Sequence, residues 1–379
     1  MHSFRSAFAV SFVLVMGAAA WAADGDCRVI VGCKSDADTS ALENLGVDVD
    51  SAHGKVAAGT IPPGKIAALR ADPSVAYVEE DGIAEANGKA QVEAISASSE
   101  TLPWGVTKVW GGAQPSVTGA GVKVAVIDTG IDLNHTDLKA NIDTANSTTF
   151  VSRTYSANDD NGHGSHVAGT IAASASNGGG VVGVAPGAKL IAIKVLDRRG
   201  SGFWSWVASG IDWAKTKGAN VANMSLGGGP STTVESACSA AWNSGNGVLL
   251  CAAAGNSGDG KTTTSEWDYP ASYSTVVSVA AVDSSDVAAS WSNTNSDVEV
   301  SGPGVSITST YKNGLYATMS GTSMATPHAV GNAALLWQEQ ADKPAGASAS
   351  SVKSLLDSRV RSKTPSVAYG FGIVYFPAP

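Results

Sequence analysis

Positive charge is scarce in this 379-residue chain: 24 Lys and Arg stand against 33 Asp and Glu, for a net charge of −9. The imbalance is concentrated at the start, with a net −7 in residues 1–100 and −2 in the remainder. No basic stretch large enough to track a nucleic-acid backbone exists, so nucleic acid is excluded as a partner. Cysteine is sparse as well. The four residues fall as Cys27/Cys33 and Cys238/Cys251, without a Cys-x-x-Cys and without His at zinc-ligand spacing, which disfavours zinc. Each pair is compatible with a disulfide in an oxidising exterior or with two buried thiols; a Cys238 helix against a strand at 248–252 would permit a bridge. Apolar runs of the roughly 20 residues needed to span a bilayer are missing, which argues against a membrane anchor. A Gly-x-Gly-x-x-Gly after the Val- and Ile-rich run at 122–127 is also missing, since Asp128-Thr129-Gly130-Ile131-Asp132 stands there, and this removes the dinucleotide-binding reading.

What the chain does have is 44% hydrophobic residues and 43 glycines, ample for a packed core and far from a disordered composition. Arg5, the apolar run Ala7 to Met16 and Ala20-Trp21-Ala22 read as a signal peptide over residues 1–22, which implies a secreted, extracellular protein. Residues 23–98 read as a small α+β module, with strands over 27–33, 55–61 and 75–79 and a helical stretch over 63–72. Its last part, 84–100, is polar, small and aperiodic, the texture of an exposed linker. Residues 99–379 form a second domain. Its Val- and Ile-rich runs at 122–127, 189–195, 219–224, 248–252 and 276–281 predict buried parallel strands, and 165–175, 202–217 and 232–243 predict crossover helices. The expected fold class is α/β, a doubly wound parallel sheet with helices on both faces, whose ligand crevice lies at the carboxyl ends of the strands.

Four short segments bring chemistry to that crevice. Asp128 ends the first strand. His163, between two glycines, stands at a helix entrance as a general base requires, whereas His166 opens the apolar run and reads as structural. Ser323 lies in the first turn of a long helix, where unpaired backbone N–H groups and the positive dipole end can stabilise an oxyanion. Asn256 follows a buried strand and carries an amide donor. Each has a plain reading too: Asp128 as an N-cap or a ribose or metal ligand, Ser323 as a helix cap, Asn256 as a turn former.

The segments Val126-Ile127-Asp128-Thr129-Gly130, His163-Gly164-Ser165-His166-Val167-Ala168-Gly169-Thr170, Ala254-Gly255-Asn256 and Gly321-Thr322-Ser323-Met324-Ala325-Thr326-Pro327-His328 together resemble the motifs of the subtilisin-like serine proteases, in that family's Asp, His, Ser order. The resemblance implies that Ser323 is the nucleophile, His163 its base, Asp128 the orienting carboxylate and Asn256 an oxyanion donor, in peptide hydrolysis through an acyl-enzyme. It implies that Ser225-Leu226-Gly227 pairs with an extended polypeptide substrate while Ala253-Ala254-Gly255 forms the opposite pocket wall, for a broad preference for bulky apolar residues. Asp268 falls where the family lines the pocket floor, and a carboxylate facing the pocket would admit basic residues too. Residues 71–81 resemble the end of the family's inhibitor-type propeptide, which implies a zymogen that cuts itself near residues 96–101, with 95–98 occupying the cleft and the propeptide acting as inhibitor. No cofactor is implied for catalysis. A structural Ca²⁺ on Asp137, with Asn177 and Val181 in the partner loop, is implied by the segment 131–138. The protein is expected to act as a monomer, apart from membranes. The competing expectation is a catalytically silent binding protein of the same fold.

Overall fold

The computed structural model describes residues 25–86, 89–93, 99–343 and 346–377; the expected signal peptide lies outside them. The described chain divides into two compact units between Glu80 and Asp81.

The first unit is an antiparallel four-stranded sheet with two helices. Strand β1 (Cys27–Cys33) is followed by α1 (Thr39–Asn44), β2 (Asp48–His53), β3 (Val56–Ile61), α2 (Ile66–Ala71) and β4 (Val75–Glu80), in the sheet order β2-β3-β1-β4. Val29, Val31, Leu42, Ile61, Ile66, Leu69 and Val75 fill its core. The sequence left α1 and β2 unannounced for a physical reason. Helix α1 is six residues long and capped by Asp38, which accepts from Ala41 N at 3.1 Å, and β2 is largely exposed, so neither shows an apolar period.

The second unit begins with two strands, β5 (Ile83–Glu85) and β6 (Lys89–Glu93), where an exposed linker was expected. That expectation fails because main-chain pairing holds these segments and needs no apolar repeat: Ala84 is fully buried between neighbouring strands. Strand β7 (Lys123–Asp128) leads to α3 (His163–Ala172), β8 (Lys189–Lys194), the short β9 (Ser201–Phe203) and α4 (Trp204–Thr216). Strand β10 (Val221–Met224), the two-residue β11 (Gly227–Gly228), α5 (Thr232–Trp242), β12 (Leu249–Ala253), β13 (Val276–Val282) and β14 (Val298–Pro303) continue it. A hairpin of β15 (Ile307–Tyr311) and β16 (Leu315–Ser320) then runs into α6 (Thr322–Ala341).

The centre of the large sheet has the order β14-β13-β12-β10-β7-β8, all parallel. Helices α3 and α6 cover one face and α4 and α5 the other, the α/β architecture expected. β7 lies between β10 and β8, so the strand order reverses beside it, and the crevice opens where Asp128 ends β7. Helix α6 is buried from Thr322 to Trp337, which explains why it is apolar and small on all sides rather than amphipathic.

All four cysteines are free thiols. Cys27 and Cys33 lie at opposite ends of one extended strand, too far apart to bridge. Cys238 on α5 and Cys251 on β12 are fully buried, and burial pushes the Cys251 thiol up to about 12. Among the described residues no helix is long and apolar enough to cross a membrane.

Candidate active site

Asp128 and His163 meet at the head of the crevice. Asp128 is fully buried; its Oδ1 lies 2.8 Å and its Oδ2 3.0 Å from His163 Nδ1, and Oδ1 also accepts from Thr129 N at 2.7 Å. With Nδ1 directed at a carboxylate, Nε2 is the ring atom left to accept a proton, and among the described residues it has no partner. Burial drives the His163 pKa down, but the charge of Asp128 and its hydrogen bond outweigh burial and hold the ring above its ordinary 6.5. The two segments approach closely because residue 164 is glycine. A Cβ there would overlap Gly130 O and sit 3.2 Å from Asp128 Oδ1.

A residue without an assigned role in the sequence reading fixes this geometry. Buried Asp159 accepts five hydrogen bonds: Oδ1 from Thr129 Oγ1, Asn161 N and Gly162 N, each at 2.9 Å, and Oδ2 from Ser165 N at 2.9 Å and Ser165 Oγ at 2.6 Å. One carboxylate thereby ties the turn after β7 to the first turn of α3. Burial raises its pKa despite these donors. Lys194, also buried, clamps the same turn by donating to Thr129 O at 2.7 Å and Leu196 O at 2.8 Å while pairing with Asp160 at 2.6 Å. His166 is structural, as expected. Its Nε2 bonds Ile307 O at 2.9 Å, and burial holds its pKa down at about 3.

Ser323 is the second residue of α6, and among the described residues its backbone N–H has no acceptor. Its Oγ donates to Ser225 O at 3.2 Å, and its carbonyl accepts from Ser225 Oγ at 2.8 Å. Asn256 Oδ1 accepts from Thr322 N at 2.9 Å and Thr322 Oγ1 at 3.0 Å, which anchors the amide beside the head of α6. The expected walls are buried at Ser225, Leu226, Gly227, Ala253, Ala254 and Gly255.

Between two edge strands lies a segment of the chain itself. β5 is antiparallel to both: Glu85 opposes Ser201 and Gly227, Ala84 opposes Gly202 and Gly228, and Ile83 opposes Phe203. Ala86 N donates to Gly200 O at 2.8 Å. Farther on, β6 pairs antiparallel with β16, with Lys89 opposite Ser320. The tail 95–98 expected in the cleft lies outside the described residues. Strand β9 was read as the start of a helix; three residues give no period, and its role depends on backbone groups alone.

Asp137, Asn177 and Val181 do come together. Asp137 Oδ1 accepts from Asn177 Nδ2, and Oδ2 from Val181 N and Tyr316 Oη, each at 2.9 Å. Asn177 Nδ2 and Val181 N act here as donors to this carboxylate, and it is their own oxygens that would join Asp137 in holding a Ca²⁺ ion. Among the described residues no group of three or more His, Cys, Asp or Glu gathers as a metal site.

Residues 119–372 match the sequence profile of the subtilase family. The chain is 39% identical to subtilisin E of Bacillus subtilis (strain 168) over 380 residues, which covers 97% of this chain and 94% of that one. It is 40% identical over 282 residues to an alkaline protease of Alkalihalobacillus alcalophilus, 74% of this chain and 68% of the other. It is 43% identical over 279 residues to subtilisin DY of Bacillus licheniformis, 73% of this chain and 97% of the other.

Proposed function

The chain belongs to the subtilase family of serine endopeptidases, and from that premise we propose that it is a secreted, self-processing zymogen that hydrolyses peptide bonds through Asp128, His163 and Ser323. The buried Asp128–His163 pair, with Nε2 left without a partner among the described residues, carries this reading. His163 Nε2 takes the Ser323 Oγ proton as Oγ attacks the scissile carbonyl carbon. The oxyanion is held by Ser323 N–H and the Asn256 amide, both fixed at the head of α6. His163 then returns the proton to the leaving amine, and water, deprotonated by the same nitrogen, releases the acyl group. The imidazolium formed in each half is stabilised by Asp128, whose negative charge already favours the protonated ring. No step needs a metal or cofactor.

Substrates are extended polypeptides that add a strand between β9 and β11, as β5 does, with main-chain pairing giving tolerance and the pocket beside Ala253–Gly255 preferring bulky apolar side chains. The first substrate is the chain's own. Because β5 fills the substrate position between β9 and β11, the maturation cut is placed C-terminal to Glu85, near residues 96–101, and the residues from 23 to the cut would be released as the inhibitory propeptide.

Intact mass and fluorophosphonate labelling test this. Wild type should label on Ser323 and yield a mature chain beginning near residues 96–101; Ser323→Ala should remain uncut and lose about 10⁶ in turnover, a scale set by subtilisin itself. A Ser323→Ala protein that matures and turns over normally would remove the assignment.

A further inference from the structure

Helix α4 follows directly on strand β9, with Trp204 after Phe203, and it begins without a cap of its own. Phe203 stands at the N-cap position and has no hydrogen-bonding side chain, whereas α5 is capped by Ser231, whose Oγ accepts from Val234 N at 3.3 Å. The acceptors that α4 lacks come from the segment ahead of β5. Asp81 Oδ1 accepts from Ser205 N at 2.9 Å, Asp81 Oδ2 accepts from Ser205 Oγ at 2.7 Å, and Gly82 O accepts from Trp204 N at 3.0 Å. Asp81 and Ser205 are both buried. Gly82 lies so close over Trp204 that a Cβ there would sit 3.0 Å from the indole ring. Asp81 stands ahead of the maturation cut, so in the proposed maturation it leaves with the propeptide. The mature α4 head then presents the N–H groups of Trp204 and Ser205, the Ser205 hydroxyl and the positive end of a 13-residue helix. It does so just beyond Phe203, the residue of β9 that pairs with Ile83 of β5. These donors suit a carboxylate, and one is already seated on them.

We propose that the head of α4 is a subsite for an acidic side chain of the substrate, with Ser205 as its specificity-determining residue: a polypeptide that adds a strand between β9 and β11 is favoured when it carries Asp two residues before the one opposite Phe203. The proposal rests on the peptidase reading above and adds a substrate class to it, extended chains with an acidic residue upstream of the paired strand. An apolar residue at that position leaves the helix donors to water, and a lysine meets the positive end of the helix dipole. Salt weakens the preference, because the mature head faces solvent once the propeptide has left.

The test uses the mature enzyme and quenched-fluorescence peptides that carry residues 81–86 of the chain ahead of one common scissile segment, with Asp, Ala or Lys at the first position. At low ionic strength kcat/KM for the Asp peptide should exceed that for the Ala peptide by about tenfold, the scale of charge-assisted hydrogen bonds at a helix head, and the Lys peptide should be the poorest. Moving the Asp two residues farther upstream should abolish the gain, which separates the subsite from long-range attraction. Ser205→Ala removes one of the two donors to the carboxylate and should cut the Asp/Ala ratio to about threefold. Ser205→Asp, a residue that the first turn of a helix favours, puts a like charge at the subsite and should bring the ratio below one. Turnover of the Ala peptide with an Asp/Ala ratio near one in wild type, or with one ratio shared by wild type, Ser205→Ala and Ser205→Asp, would overturn the subsite while leaving the peptidase reading intact. Absence of turnover on all the peptides by mature wild type would overturn both.

Discussion

Two helices begin at the candidate active site, and they begin differently. The first turn of α3 is saturated: Asp159 accepts from Gly162 N, Ser165 N and Ser165 Oγ, and Thr129 Oγ1 accepts from Gly164 N at 2.9 Å. The first turn of α6 has no side-chain cap from Gly321, and its second residue, Ser323, keeps an N–H without an acceptor among the described residues. Unpaired donors at a helix head are ordinarily a cost that a cap removes. The α3 head is spent on rigidity, because it must hold a ring at a fixed distance from Asp128. The α6 head keeps its donor and dipole unspent, because in the proposed mechanism they meet charge that exists only during the reaction.

If that division is right, variants at the two heads should fail in different ways. At α6, Asn256→Ala should lower kcat by about 10²–10³, a magnitude defined on a subtilisin's own oxyanion amide, with little change in KM and a loss of only about 1 kcal/mol of stability from the two hydrogen bonds that Thr322 gives to Asn256 Oδ1. Steady-state kinetics beside calorimetry in the Ser323→Ala background would check it, and a variant that lost stability instead would make Asn256 a structural turn former. At α3 the order should invert. Asp159→Asn turns an amide N–H₂ toward one of the two donor sets, either Asn161 N and Gly162 N or Ser165 N, so stability should fall by about 3 kcal/mol, read by denaturant unfolding of the Ser323→Ala protein. Activity should follow only as far as the His163 ring loses its alignment. An Asp159→Asn protein with wild-type stability and a large kcat defect would assign Asp159 to the chemistry.

The same contrast marks what could be read from sequence. The strands β7, β8, β10, β12 and β13 were legible because a strand buried on both faces must be a continuous apolar run, and Val124–Ile127 or Leu249–Ala253 has no alternative use. Asp128, His163, Ser323 and Asn256 were legible through the motifs around them. Asp159 was visible as a residue but not as a role, since its five donors come from three stretches of chain that only the fold assembles. Strands β5 and β9 were illegible for a different reason: they are joined by main-chain hydrogen bonds, which any small residues supply, and Ala84 is buried between an exposed Ile83 and an exposed Glu85, so no apolar period announces it. The thiols were legible as pairs in sequence, but pairing in sequence carried no geometry, and β1 separates Cys27 from Cys33.

The finest test lies within α3, on two histidines three residues apart. His163 and His166 are both buried, and burial alone would depress both. His166 follows that rule. Its neutral ring contributes stability that is complete above about 6.5 and is lost as pH falls toward about 3. His163 departs from it because Asp128, and more distantly Asp159, oppose burial. Its contribution has the opposite sign: complete below 6.5 and lost as pH rises through the raised folded pKa. Imidazole proton titrations of the Ser323→Ala protein should therefore place His163 above 6.5 and His166 below it, and the acid limb of wild-type kcat/KM should coincide with the His163 midpoint. Asp128→Asn removes the main opposing charge, so burial should then prevail and carry His163 below 6.5. A His163 midpoint that stayed high in Asp128→Asn would mean that Asp159, rather than the paired carboxylate, sets the protonation of the base, and the rigid head of α3 would then carry part of the chemistry after all.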